Sequence, residues 1–184
     1  MIRLARISLI LLVPLMIAGC AQINFNGGVN QIQLAIYAPL CIDVQDASTA
    51  SGAHIQAYAC GAGKRSQEWM LKPVNLNMLG QYTIVNANSQ MCMSVADTPD
   101  TAPGQYVIQE PCASNDSPPN QTWTISPVPN GEAGMRFVST ASGQCLDLPY
   151  GATASVFDMQ QYYCTATDPA QGWTINPVEP GSTP

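Results

Sequence analysis

Gln67-Glu68-Trp69, Gln121-Thr122-Trp123 and Gln171-Gly172-Trp173 hold all three tryptophans of this 184-residue chain. Each tripeptide follows a pair of cysteines: Cys41 and Cys60, Cys92 and Cys112, Cys145 and Cys164. The tryptophans lie 54 and 50 residues apart and the first cysteines 51 and 53, so one unit of about fifty residues occurs three times.

The rest of the unit recurs in register. Tyr82-Thr83-Ile84-Val85 and Met135-Arg136-Phe137-Val138 precede the cysteines of the second and third units, each followed by a polar turn; Gln31 to Ala38 is their less regular counterpart. At the first cysteines the runs are Cys41-Ile42-Asp43-Val44, Cys92-Met93-Ser94-Val95 and Cys145-Leu146-Asp147-Leu148. After each tryptophan comes another short apolar run and a proline, Pro73, Pro127 or Pro177. Alternation of this kind predicts strands, and no stretch of the repeats carries a helical period. Three units of four short strands make an all-β domain with approximate threefold symmetry. The composition agrees: 46% hydrophobic, 10% charged, with 15 Pro and 14 Gly, as expected of one compact, loop-rich domain.

The amino terminus reads as an address. Arg3 and Arg6 precede an apolar run, Ile7 to Ile17, that at eleven residues is too short to span a bilayer as a helix, which needs ~20. The run Ile17-Ala18-Gly19-Cys20 resembles a bacterial lipobox. That resemblance implies a signal peptide over residues 1–19, acylation of Cys20, and a short linker to residue 30; an ordinary signal peptide is the alternative. Several acyl chains, at ~0.8 kcal/mol per buried CH₂, would anchor the protein to a membrane. Ala21 in place of Asp favours the outer membrane.

Six cysteines then remain, an even number in an exported chain, which points to disulfides. No Cys-x-x-Cys occurs, which disfavours a zinc ribbon or a thioredoxin motif. The separations of 19, 20 and 19 residues make pairing within each unit the economical choice among 15 connectivities. Free buried thiols are the alternative.

Charge narrows the partners. With the first nineteen residues removed, four cations against twelve acids leave a net charge of −8 in place of −6. Such a chain is repelled by phosphate, so nucleic acid is not an expected partner.

Taken together, the Cys-x-Asp, the second cysteine and the Gln-x-Trp resemble the ricin B-type β-trefoil, a lectin fold, over residues 31–178, with 179–184 as a tail. The resemblance implies neutral glycans as partners, no cofactor, and tryptophans that build the core. It also implies the sites. In this family an Asp follows the first cysteine by two, an aromatic precedes the second by two, and an Asn-Gln pair opens the Gln-x-Trp. The first repeat then supplies Asp43, Gln56, Tyr58, Ser66 and Gln67, with Ser66 where the family has Asn. The third supplies Asp147, Gln160, Tyr162 and Gln171, with Ala170 in the Asn position. Carboxylates and amides hold hydroxyls, and a ring face packs on the C–H side of a sugar. The second repeat offers Ser94 and Glu110 instead, and its pocket is expected to be lost. Because Ser66 keeps a hydroxyl and Ala170 keeps nothing polar, the first repeat is expected to be the principal site.

No enzyme is expected. His54 is the only histidine, and the acids are scattered without a catalytic or metal-binding motif. The alternative to an anchored lectin is the cell-binding subunit of a toxin assembly resembling the cytolethal distending toxins, working through protein contacts. The ten residues from Ala21 to Asn30 are short for the assembly arm of such subunits.

Overall fold

The computed structural model describes residues 28–36, 39–74, 80–96, 101–113, 118–151 and 156–178. The expected signal peptide over residues 1–19, Cys20 and residues 179–184 lie outside them.

Each repeat contributes one strand before its first cysteine and one after its Gln-x-Trp. These are β1 (Val29–Leu34) and β4 (Glu68–Pro73), β5 (Gln81–Asn86) and β8 (Trp123–Pro127), and β9 (Met135–Ser139) and β13 (Trp173–Pro177). The six pair antiparallel in a ring: β1 with β4, β4 with β5, β5 with β8, β8 with β9, β9 with β13, and β13 back to β1. Closure leaves none of these six strands at a sheet edge. Between these strands, hairpins cap one end of the barrel: β2 (Leu40–Val44) with β3 (Ile55–Ala59), and β6 (Cys92–Val95) with β7 (Val107–Glu110). In the third, β10 (Cys145–Asp147) pairs with β12 (Gln160–Tyr162), while β11 (Phe157–Asp158) pairs with β3 of the first repeat. The expected four strands per unit become five there, because Met159 interrupts the last strand of the hairpin. The architecture is the all-β trefoil that the repeats predicted, with one disulfide in each unit: Cys41–Cys60, Cys92–Cys112 and Cys145–Cys164.

Symmetry-related positions fill the core in layers. Ile32, Ile84 and Phe137 form one, Ile42, Met93 and Leu146 another, and Ile55, Val107 and Met159 a third, all with side chains withdrawn from solvent. Trp69, Trp123 and Trp173 are fully buried as well. Each indole donates from Nε1 to a backbone carbonyl of its own repeat: Ile42 (2.9 Å), Met93 (3.2 Å) and Leu146 (3.3 Å). A buried indole N–H without a partner would carry a desolvation penalty, and the β2-type strand removes it.

Neighbouring repeats are tied by a device that recurs three times. The amides of Gly52, Gly104 and Val156 donate to the carbonyls of Gln109, Gln161 and Ala57, each at 2.8 Å. The two glycines sit at φ +83° and +87°, and Val156 takes the same place at φ +76°, a region that disfavours a β-branched side chain. Side chains reinforce two of the ties: Gln109 Nε2 reaches the carbonyls of Ser48 and Ala50, and Gln161 Nε2 that of Ala102.

Candidate functional site

The hairpin register builds the site in the first and third repeats. Asp43 lies opposite Gln56 across β2 and β3, and Cys41 opposite Tyr58, so the acid, the amide and the ring gather at one end of the hairpin. In the third repeat Asp147 faces Gln160 and Cys145 faces Tyr162. The Cys41–Cys60 and Cys145–Cys164 bridges close the open ends of these two hairpins. In the second repeat the register is the same, with Ser94 opposite Ile108 and Cys92 opposite Glu110.

The first cleft, of about 470 Å³, is lined by Asp43, Gln56, Tyr58 and Ser66, together with Asp46, Lys64, Arg65 and the Asn88 turn of the second repeat. Gln56 Nε2 donates to Asp43 Oδ2 at 3.3 Å, whereas the buried Asp43 Oδ1 has no partner in the protein. Tyr58 is 36% exposed, and the Lys64 ammonium stands 5.0 Å from its ring centroid.

The third cleft, of about 510 Å³, is lined by Asp147, Gln160 and Tyr162 together with Tyr150, Asp168 and the Pro149–Gly151 turn. Its carboxylate is held more firmly. Gln160 Nε2 donates to Asp147 Oδ2 at 2.7 Å, and Gln171 Nε2 to Oδ1 at 3.1 Å. Burial pushes the Asp147 carboxyl above the ordinary aspartate range; the two amides pull it back, and the neighbouring Asp168 adds to the rise. Tyr150 is almost wholly exposed and gives this cleft a second ring. Its signal in the sequence was only the Pro149-Tyr150-Gly151 turn, five residues beyond the first cysteine, where the first repeat carries Asp46.

Gln67 and Gln171 are placed differently from the expectation that they face a ligand. Both are buried, like Gln121, and all three make the same pair of bonds to the turn after the second cysteine. Their Oε1 atoms accept from the amides of Gly61, Ala113 and Thr165; their Nε2 atoms donate to the carbonyls of Ala59, Pro111 and Tyr163. The Gln of the Gln-x-Trp is thus a staple that positions the turn, and only Gln171 also reaches the cleft acid.

In the second repeat the polar groups close on one another. Ser94 Oγ donates to Glu110 Oε2 at 2.7 Å and accepts from Asn120 Nδ2 at 2.9 Å. The hydroxyl, carboxylate and amide that would hold a ligand are engaged internally.

His54 is not an isolated surface residue. Its Nδ1 lies 2.8 Å from Asp158 Oδ2, and its ring centroid 4.9 Å from that of Tyr106. His54, Tyr106 and Asp158 each stand six residues before the second cysteine of their repeat, so three equivalent positions with unlike side chains meet. The contact ties the three units. Among the described residues no group of three or more His, Cys, Asp or Glu is placed to hold a metal ion.

A closed six-stranded barrel capped by three disulfide-bridged hairpins, with an Asp–Gln–Tyr cleft on two of them, defines a β-trefoil of lectin type. Residues 30–173 match the model of the ricin-type beta-trefoil lectin domain, and the chain belongs to that family. No curated protein matches it in sequence. Among solved structures it is similar to ThreeFoil, a designed threefold-symmetric protein, at 26% identity and a TM-score of 0.71, covering 82% of this chain and 99% of that one. It is similar to the Macrolepiota procera ricin B-like lectin in complex with lactose at 21% identity and a TM-score of 0.64, covering 83% and 96%. It also resembles the exo-beta-1,3-galactanase 1,3Gal43A from Clostridium thermocellum, at 23% identity and a TM-score of 0.70, covering 82% of this chain but 30% of the galactanase.

Proposed function

We propose that the protein is a carbohydrate-binding, non-enzymatic lectin that works through the clefts of its first and third repeats. The observation that carries this is the repeated Asp–Gln–Tyr arrangement, in which an amide orients a carboxylate beside an exposed ring. A carboxylate oxygen can accept from a sugar hydroxyl, and the tyrosine face can pack against the ring's C–H groups. The lactose complex of the Macrolepiota lectin supports the reading. The two clefts are not equal: two amides hold Asp147 and two tyrosines flank it, so the third is the better organised for a neutral sugar, in contrast to the order that Ser66 predicted.

The purified protein is expected to bind members of an immobilised glycan panel saturably. Absence of binding to every neutral and acidic glycan on the panel would defeat the lectin reading.

We further propose that Cys20 carries the lipid anchor and holds the domain at a bacterial membrane, the outer one in preference to the inner. Ile17-Ala18-Gly19-Cys20 supports it, and a linker of under ten residues before β1 spans at most about 30 Å, which would keep the clefts close to the membrane surface. Metabolic labelling with a radioactive fatty acid should mark the wild type and not Cys20→Ala. Equal label in both would remove the anchor.

A further inference from the structure

We propose that the first cleft selects saccharides that carry a carboxylate, and that the Lys64 ammonium is the group that reads the anion. The inference rests on the carbohydrate-binding reading above and adds the charge class of one cleft's ligand.

Lys64 lies where a neutral sugar would have to stack. Its Nζ is 5.0 Å from the Tyr58 ring centroid, within the range at which a cation is drawn to an aromatic face. The stem reaches that position by running over Gly61, where a Cβ would come within 2.6 Å of Lys64 Cε. Any larger residue at 61 would drive the stem off, so the glycine is part of the arrangement.

The ammonium is also unpaired. Among the described residues the one ion pair is that of His54 with Asp158, and no carboxylate lies within 4 Å of Lys64 Nζ. Cations are scarce beyond residue 19, yet two of the four, Lys64 and Arg65, line this cleft. Arg65 is oriented by a bond from one of its five N–H groups to the Ala87 carbonyl at 2.8 Å, whereas Lys64 is the cation that stands over the ring. The third cleft differs: among the described residues no Lys or Arg lines it, and Asp168 adds a second carboxylate beside Asp147. One scaffold thus presents a cleft whose two acids are balanced by two cations and a cleft with acids alone.

A neutral ring that packs on Tyr58 must first displace the ammonium, with only uncharged oxygen acceptors to offer it in return. An acidic sugar supplies the missing counter-charge and can move the ammonium from the ring onto its own carboxylate. Asp43 and Asp46 also line the cleft, so the anion must point toward Lys64 while hydroxyls face Asp43. That requirement fixes how the sugar lies.

The test is calorimetry on the purified full-length protein with two matched pairs, lactose against sialyllactose and methyl galactoside against methyl galacturonoside. At low salt, Lys64→Met is expected to weaken binding of the acidic member of at least one pair by about threefold to tenfold, as for a partly exposed ion pair, and to leave the neutral member unchanged or tighter. Lys64→Arg should restore the acidic sugar, and added salt should shrink the difference between wild type and Lys64→Met. Acidic-sugar affinity unchanged in Lys64→Met overturns the inference, as does a wild type that binds neutral members and neither acidic one; carbohydrate binding itself survives both outcomes. If wild type and variant bind no member of either pair and no glycan of the panel, the lectin reading falls and the inference with it.

Discussion

Trp123→Ala is expected to lower the stability of the protein by about 3–5 kcal/mol, and its thermal midpoint by roughly 10 °C, while the surviving folded protein still binds sugar. The indole is fully buried, and its removal leaves both a large void and the Met93 carbonyl without its donor. Trp123 is the tryptophan to choose because its own repeat has Ser94, Glu110 and Asn120 closed on one another, so binding at the other two clefts reports on them alone. Thermal denaturation followed by circular dichroism reads the loss. A midpoint that stays within error of the wild type would place the indole outside the core.

Asp147→Ala is expected to weaken neutral-sugar binding ten- to a hundredfold, the effect of removing an ionised acceptor worth ~1.5–3 kcal/mol, and to cost more than Asp43→Ala. Two amides hold Asp147, whereas Asp43 has one longer bond and an unpartnered oxygen. Proton linkage gives a second readout with opposite signs. Burial raises the Asp147 pKa in the folded state, so the native protein holds this proton more tightly than the unfolded chain. The stability from this group is therefore present at low pH and lost as pH rises from the ordinary aspartate range through the raised value. Binding runs the other way: the acceptor carboxylate disappears as pH falls through that same raised value. Titration calorimetry for binding and thermal denaturation for stability, each followed upward in pH from the usual aspartate value of ~3.9, separate the two. Equal affinity in Asp147→Ala and wild type would remove the third repeat from the site.

The repeat was legible because its markers are rare residues at fixed separations. Three tryptophans and six cysteines in one register leave little freedom for the barrel or the bridges, and the layer of Ile42, Met93 and Leu146 follows the same count. The sites were legible in part. Asp43, Gln56 and Tyr58 come together because they face one another across a hairpin, a relation that strand register alone determines. What escaped depends on side-chain direction or on loops. Gln67 turns inward to the Gly61 and Ala59 backbone, the structural role open to a glutamine near a turn, and does not also supply the amide expected at the cleft. Lys64 over Tyr58 depends on the path of its stem across Gly61, a three-dimensional contact between residues that are unremarkable in sequence. The meeting of His54, Tyr106 and Asp158 left no repeat signal, because the three equivalent positions carry three different chemistries.

The pairing of β1 with β13 also sets the order in which the molecule can be completed. Each bridge joins cysteines 19 or 20 residues apart, so an emerging chain can oxidise its first repeat before the third exists. The barrel cannot close so early: β1 can pair with β4 and β2 of its own repeat, but its other side finds its partner in Trp173 to Pro177, the last described strand of the chain. Until that strand arrives, the facing sides of β1 and β9 stand as open edges. Open edges pair with whatever strand is nearest, and at high local concentration that is another copy of the same chain. The hazard of this fold therefore falls in the interval between the first bridge and the last strand.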